Sequence, residues 1–347
     1  MLRPCEPAVA YAGQVRRIYR SALRRARAAP PFGGRFGFGW CHRMMRPCAL
    51  ELSSEYIILR AGPGKRSIVK RELVPPKFKP VVKWAGGKQW LAPAAPHLAP
   101  RGFAGHYFEP FLGGGSFFFA LEPASGTLSD RNEELITALN AIRSDAESVI
   151  RLLKKYPYER EFYYALRERS PRSPRSIAAR FLYLNRACWN GLYRVNQDGQ
   201  FNTPFGSFVN PTICDPERLR EAGRLLRRAK LCVCDFAKTA KGAKAGDFVY
   251  FDPPYITGHQ HNGFLKYNAP LFSWADQERL ARLALRLAEA GTFVLVSNAA
   301  QPQVAALYGG FNHYQVNRRS MIGGSVSSRG DVVEALFSNY ALLDEAL

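Results

Sequence analysis

Asp247-Phe248-Val249-Tyr250-Phe251-Asp252-Pro253-Pro254-Tyr255 is the stretch on which the reading of this chain turns. Its first half is a short apolar and aromatic run, the pattern of a buried strand. Two prolines then stop that strand, because neither can donate to a ladder. Open α/β sheets place their ligands at the carboxyl ends of strands. A carboxylate and an aromatic ring flanking a rigid, donor-poor backbone suit a planar group that carries an amino function. The amino group donates to Asp252 and to a carbonyl, and Tyr255 stacks on the ring. A plain proline turn fits the same residues, and the tetrapeptide alone does not separate the two readings.

The surrounding pattern alternates. His106-Tyr107-Phe108-Glu109 reads as a strand, Pro110-Phe111-Leu112-Gly113-Gly114-Gly115-Ser116 as a glycine-rich turn, and residues 117–122 as the start of a helix. Thr127-Leu128-Ser129 is a second strand ending at Asp130, and apolar spacing makes 133–155 helical. Strand patterns return at Leu231-Cys232-Val233-Cys234, at 247–251 and at Thr292-Phe293-Val294-Leu295-Val296, with a helix over 275–290 before the last. Residues 156–230 between them are polar, aromatic and Arg-rich. The prediction is an α/β fold, an open sheet with an inserted, mainly helical lobe over 156–230 and a core over 77–155 and 231–347.

Charge points to the partner. The chain has 347 residues and a formal net charge of +21. Residues 1–80 hold 17 Lys and Arg against 4 Asp and Glu, and residues 151–230 hold 17 against 7. Two basic blocks, one terminal and one internal, suggest a polyanion, nucleic acid first and membrane surface second. Residues 1–76 have weak periodicity and are expected to be a basic, disordered extension. They fit a nonspecific nucleic-acid arm, an Arg-rich transit-like leader, or read-through from an upstream start with Met44 or Met45 nearer the true one. The seven cysteines are scattered without zinc spacing, which fits free thiols in a reducing compartment. His259 and His261 do not make a metal site, and no metal is expected. No apolar run nears the ~20 residues of a membrane span, and a secretory h-region is missing.

The glycine turn lets backbone approach a ligand closely, and a helix N-terminus favours an anion or carboxylate. It lacks the third glycine of a dinucleotide fingerprint, position 118 being Phe. Asp130 is placed to accept from ribose hydroxyls or to cap the next helix. Together, glycine turn, acid and Pro-Pro tetrapeptide describe an adenosyl-type cofactor site beside an amino-group grip.

Over about residues 80–340 the chain resembles the D12 class of N6-adenine DNA methyltransferases. The resemblance rests on Lys83-Trp84-Ala85-Gly86-Gly87-Lys88, Phe108-Glu109-Pro110-Phe111-Leu112-Gly113-Gly114-Gly115-Ser116, Ser129-Asp130-Arg131-Asn132, Cys234-Asp235-Phe236 and Asp252-Pro253-Pro254-Tyr255. Asn190-Gly191-Leu192-Tyr193-Arg194-Val195-Asn196 and Phe201-Asn202-Thr203-Pro204-Phe205-Gly206 add to it. It implies a Rossmann-like methyltransferase sheet and S-adenosylmethionine as methyl donor. Trp84, Lys88, Phe111, Gly113, Gly115, Asp130, Asp235, Phe236 and Asp252 match cofactor-contacting positions. Asp252, Pro253 and Tyr255 match the catalytic grip on a flipped adenine.

The resemblance further implies that 156–230 recognises double-stranded DNA. Leu192, Arg194, Asn196 and Pro204 agree with positions that read GATC, the first site to expect. Arg180 and Arg186 are further candidates for phosphate or base contacts, interleaved with Tyr183, Trp189 and Tyr193. Phe264, Tyr267 and Phe272 would wall the flipped base or anchor a loop, and Ser328-Arg329-Gly330 is similar to a family loop near DNA. The expected setting is cytoplasmic and nucleoid-associated, with or without a cognate restriction endonuclease. Two rival readings are an amino-methyltransferase acting on RNA and a catalytically silent DNA-binding protein.

Overall fold

The computed structural model describes residues 48–52, 56–60, 68–73, 75–196, 198–255, 272–319 and 331–342. Residues 1–47, His259, His261, Phe264, Tyr267 and Ser328-Arg329-Gly330 lie outside the described residues. The strands are β1 (Cys48–Leu52), β2 (Tyr56–Arg60), β3 (Ile68–Glu72), β4 (Tyr107–Glu109), β5 (Gly126–Asp130), β6 (Ala229–Val233), β7 (Phe248–Phe251), β8 (Phe293–Ala299), β9 (Asn312–Arg319) and β10 (Asp331–Ser338). The helices are α1 (Ala95–Leu98), α2 (Ser116–Leu121), α3 (Glu133–Leu153), α4 (Arg160–Arg167), α5 (Pro174–Ala187), α6 (Pro216–Leu226), α7 (Phe236–Ala240), α8 (Trp274–Glu289) and α9 (Pro302–Leu307). They form two compact units, residues 74–243 and residues 1–73 with 244–347.

In the unit of residues 74–243, β4, β5 and β6 pair in parallel, with Glu109 opposite Leu128 and Asp130 opposite Val233. Their carboxyl ends therefore share one edge. Helix α3 follows β5 because Asn132 caps it, its Oδ1 accepting from Leu135 N at 2.8 Å, with Glu133 and Glu134 in the positive first turn. Leu135, Ile136, Leu139, Ile142, Val149 and Leu153 are buried. The helix is broken at Asp145, whose Oδ1 accepts from Ser148 N at 3.0 Å and restarts it. Helices α5 and α6 pack on α3. Among the residues of 156–230, Tyr163, Tyr183 and Phe181 are fully buried, so this segment has its own aromatic core. It contains α4, α5, α6 and a short 3₁₀ turn at Trp189–Gly191.

In the other unit, β7 pairs in parallel with β8, β8 antiparallel with β10, and β10 antiparallel with β9. All four residues of β7 are buried, which is why the strand reads as a continuous apolar run. Burying each such side chain contributes about 1.5–3 kcal/mol. Helix α8 begins at a capping box between Ser273 and Asp276.

The α/β class holds in both units. One expectation is corrected. Residues 48–72 fall in the segment expected to be irregular, yet carry three strands. β1 pairs in parallel with β9, and β2 and β3 extend it antiparallel. The local strand signal is present in Tyr56-Ile57-Ile58-Leu59 and Ile68-Val69, apolar runs with β-branched residues on either side of Gly62-Pro63-Gly64, but the Arg, Pro and Gly content of residues 1–76 outweighs it.

Candidate active site

The first group of site residues lies in the unit of residues 74–243, at the carboxyl ends of β4, β5 and β6. After β4, Gly113 and Gly115 adopt left-handed φ of 49° and 69°, which glycine takes without Cβ strain. The Gly113 N–H donates to Asp130 Oδ2 at 2.9 Å, and the Gly115 N–H to Leu112 O at 2.7 Å. These two N–H groups are thus engaged within the turn and by Asp130, so neither is the anion donor the turn was expected to offer. Asp130 Oδ1 also accepts from Asn132 N at 2.9 Å. Asn132 is the cap of α3, so Asp130 is not needed there. Burial pushes the Asp130 carboxyl above its ordinary range, against the pull of three backbone N–H groups.

Trp84 closes on Gly113. A Cβ at Gly113 would stand 2.7 Å from Trp84 Cδ1, so only glycine fits beneath that ring. Phe111 stacks on Phe236 with centroids 5.3 Å apart and planes 27° from parallel. Phe236 is buried and Phe111 half-buried. Asp235 caps α7, its Oδ1 accepting from Ala237 N at 2.9 Å. Lys88 is buried and donates to Gly86 O at 3.0 Å. Trp84, Phe111, Gly113, Asp130 and Phe236 therefore line one edge of β4, β5 and β6, with a flat aromatic pair, a glycine floor and an acid that keeps acceptor capacity.

The second group lies in the other unit, after β7. Ser297 Oγ donates to Asp252 Oδ1 at 2.7 Å and lies 3.1 Å from Tyr250 OH. With the serine proton given to Asp252, Tyr250 is the donor to Ser297. Asp252 as a whole residue is half-buried. Pro253 is buried and Pro254 exposed. The Tyr255 hydroxyl donates to Glu334 Oε2 at 2.7 Å, and Glu334 is 2% exposed. Burial, and then the charges of Asp252 and Glu334, hold the Tyr255 phenol well above its ordinary pKa. Gln277 Nε2 donates to Pro254 O at 3.5 Å, and Gln277 Oε1 accepts from Asn298 Nδ2 at 3.0 Å. Ser297, Glu334, Gln277 and Asn298 were not singled out from the sequence. Polar residues closing the apolar run of β8 were the only local signal for Ser297 and Asn298.

The third group is the hairpin of residues 192–205, where Val195 and Phe201 bridge antiparallel. Arg194 Nε donates to Asn202 Oδ1 at 2.8 Å, fixing a half-buried guanidinium. Asn196 closes the tip, its Oδ1 accepting from Asp198 N at 3.0 Å and Gln200 N at 2.9 Å. Leu192 O accepts from Thr203 Oγ1 at 2.7 Å, and Pro204 O from Trp189 N at 2.9 Å. Pro204 is exposed, and Trp189 beside it is 50% exposed.

Two expected DNA contacts are corrected. Arg180 is 8% exposed and donates to Glu134 Oε1 at 2.9 Å and to Leu166 O and Arg167 O. Arg186 donates to Val81 O at 2.7 Å, and burial lowers its pKa. Both guanidiniums serve the packing of α5, because a charge taken out of water needs fixed partners. Tyr183 is likewise core, its hydroxyl donating to Pro157 O at 2.9 Å. Among the described residues no group of His, Cys, Asp and Glu could hold a metal ion, and no helix is long and apolar enough to cross a membrane.

A family model described as D12 class N6 adenine-specific DNA methyltransferase matches residues 84–322. The Type II methyltransferase M1.LlaDCHI of Lactococcus lactis subsp. cremoris is 39% identical over 274 residues, covering 76% of this chain and 96% of the relative. The Type II methyltransferase M.MjaIII of Methanocaldococcus jannaschii is 34% identical over 288 residues, covering 76% and 100%. The DNA adenine methylase of Serratia marcescens is 35% identical over 269 residues, covering 75% and 98%.

Proposed function

We propose how this chain works from the premise that it belongs to the D12 class of N6 adenine-specific DNA methyltransferases. S-adenosylmethionine supplies the methyl group on a sulfonium. The residues along β4, β5 and β6 suit that donor. Trp84, Phe111 and Phe236 offer aromatic faces, Gly113 lets backbone approach, and Asp130 accepts from ribose hydroxyls. Lys88, Gly115 and Asp235 support this edge by fixing its turns and caps.

Asp252, Pro253 and Tyr255 act on the target. Adenine N6 is a poor nucleophile because its lone pair is delocalised into the ring. Asp252 Oδ and the Pro253 carbonyl accept from the amino group and favour a more tetrahedral nitrogen. Tyr255 stacks on the base, which must leave the duplex to be reached. Positioning and electrostatics supply the rate. The observation that carries this assignment is the Ser297–Asp252 hydrogen bond, which orients the Asp252 carboxylate at the end of β7.

Leu192, Arg194, Asn196 and Pro204 are assigned to DNA recognition, with GATC as the site to test first. Arg194 is the base reader in this set. Asn196 acts through the shape of the hairpin tip, since its side chain is engaged there. The names of two relatives, both Type II methyltransferases, make a cognate restriction endonuclease the partner to look for.

The test is Asp252→Ala in a methylation-free host, with the genome read by modification-sensitive sequencing. The parent chain marks adenines at one motif, and the variant marks none while still binding duplex DNA. Near-normal turnover by the variant, or methylation of RNA in preference to duplex DNA, would overturn the assignment.

A further inference from the structure

The recognition hairpin and the Trp84 wall touch each other. Tyr193, in the hairpin beside Arg194, stacks on Trp84 with centroids 5.4 Å apart and planes 21° from parallel. Trp84 in turn covers Gly113. The Tyr193 ring is itself held from three directions. Its hydroxyl donates to Glu134 Oε2 at 2.9 Å, and Phe181 and Phe201 lie 5.4 and 5.5 Å away. Glu134 is fixed by Arg180 through its other oxygen.

The backbone beside Trp84 is clamped to the same lobe. Lys83 N donates to Asn185 Oδ1, and Asn185 Nδ2 donates to Lys83 O, both at 2.8 Å. Asn185 is fully buried. A Cβ at Gly191 would stand 2.2 Å from Lys83 Cδ, so the hairpin's root admits only glycine there. Backbone is thus fixed at Lys83 by α5, while the ring one residue on is oriented by Tyr193.

We propose that Tyr193 is a positioning residue that sets the Trp84 ring for the methyl donor, making donor affinity depend on the recognition hairpin. The proposal rests on the assignment of Trp84 to the donor site. Through this stack, any shift of the hairpin on meeting DNA reaches the donor wall, and the coupling runs equally in both directions.

The experiment measures S-adenosylmethionine Kd by calorimetry for the full chain and for Y193F, Y193L, W84A and the W84A/Y193L double variant. Melting temperature and duplex-DNA Kd are recorded for each, and Y193M replaces Y193L if the latter does not fold. An aromatic stack is worth about 0.5–1.5 kcal/mol, so Y193L is expected to weaken the donor roughly 2- to 12-fold. Its KM for the donor rises with kcat retained. Y193F keeps the stack, loses only the bond to Glu134, and stays within about twofold of the parent. In the W84A background Y193L adds nothing, because its effect passes through Trp84. Parental affinity in Y193L alongside a weakened W84A, or additive losses in the double variant, would overturn the coupling. Parental affinity in W84A would overturn the donor-site assignment and the coupling with it.

Discussion

Ser297 Oγ donates to Asp252 Oδ1 across 2.7 Å, and the serine stands 3.1 Å from the Tyr250 hydroxyl. A serine of β8 and a tyrosine of β7 thereby aim the carboxylate that ends β7. Hydrogen bonds arranged in such a chain polarise one another.

Ser297→Ala is expected to lower kcat with DNA affinity unchanged. A hydrogen bond to a charged group is worth about 1.5–3 kcal/mol, so the loss is roughly tenfold to a hundredfold. Single-turnover methylation and a gel-shift titration on the same preparation check it. Full activity in the alanine variant would mean that the serine has no part in aiming Asp252.

Tyr255→Phe separates the ring from its anchor. The ring remains for stacking, while the 2%-exposed Glu334 loses a donor. That loss costs about 1–3 kcal/mol, which thermal unfolding reports as a drop of several degrees. Methyl transfer persists at a reduced rate. Tyr255→Ala loses both stability and transfer.

Gly113→Ala is expected to displace Trp84 and weaken S-adenosylmethionine tenfold or more. The new Cβ meets the indole at 2.7 Å at a φ of +49°. Gly199→Ala is the control, because its φ is +76° with nothing within 4 Å. It meets backbone strain of about 1–2 kcal/mol without a clash, and donor affinity holds.

Asp130→Asn tests charge at the donor site. Burial raises the Asp130 pKa, so the folded state holds this proton more tightly than the unfolded chain. Stability from this group therefore falls as pH rises from the unfolded value through the folded one. The asparagine variant lacks that fall. Donor affinity in the parent chain should show an acid limb above the ordinary carboxylate range, and the variant should show a flat profile with weaker binding throughout.

Arg180→Ala and Arg194→Ala should differ in kind. Removing Arg180 leaves Glu134 with the Tyr193 hydroxyl alone, frees the carbonyls of Leu166 and Arg167, and lowers the melting temperature. Glu134 is 36% exposed, so solvent screening limits the cost to about 1–2 kcal/mol. The salt dependence of DNA binding stays unchanged. Removing Arg194 leaves stability nearly intact and relaxes discrimination at one base pair by about 1–3 kcal/mol, read from methylation of a library of altered sites.

The sequence by itself determined the order of elements and the chemistry at their ends. Apolar runs, glycines and prolines act within a few residues, so β4 with its glycine turn, Asp130 and the tetrapeptide after β7 were all legible. Tertiary structure decided what each polar side chain does. Arg180 and Arg186, written like nucleic-acid contacts, are held inside the lobe. Ser297 reaches Asp252 from 45 positions away, Glu334 reaches Tyr255 from 79, and Asn185 reaches Lys83 from 102. Contacts at such separation leave no periodic trace in the chain. They exist only once strands and helices bring distant residues within hydrogen-bonding range and shield them from competing water.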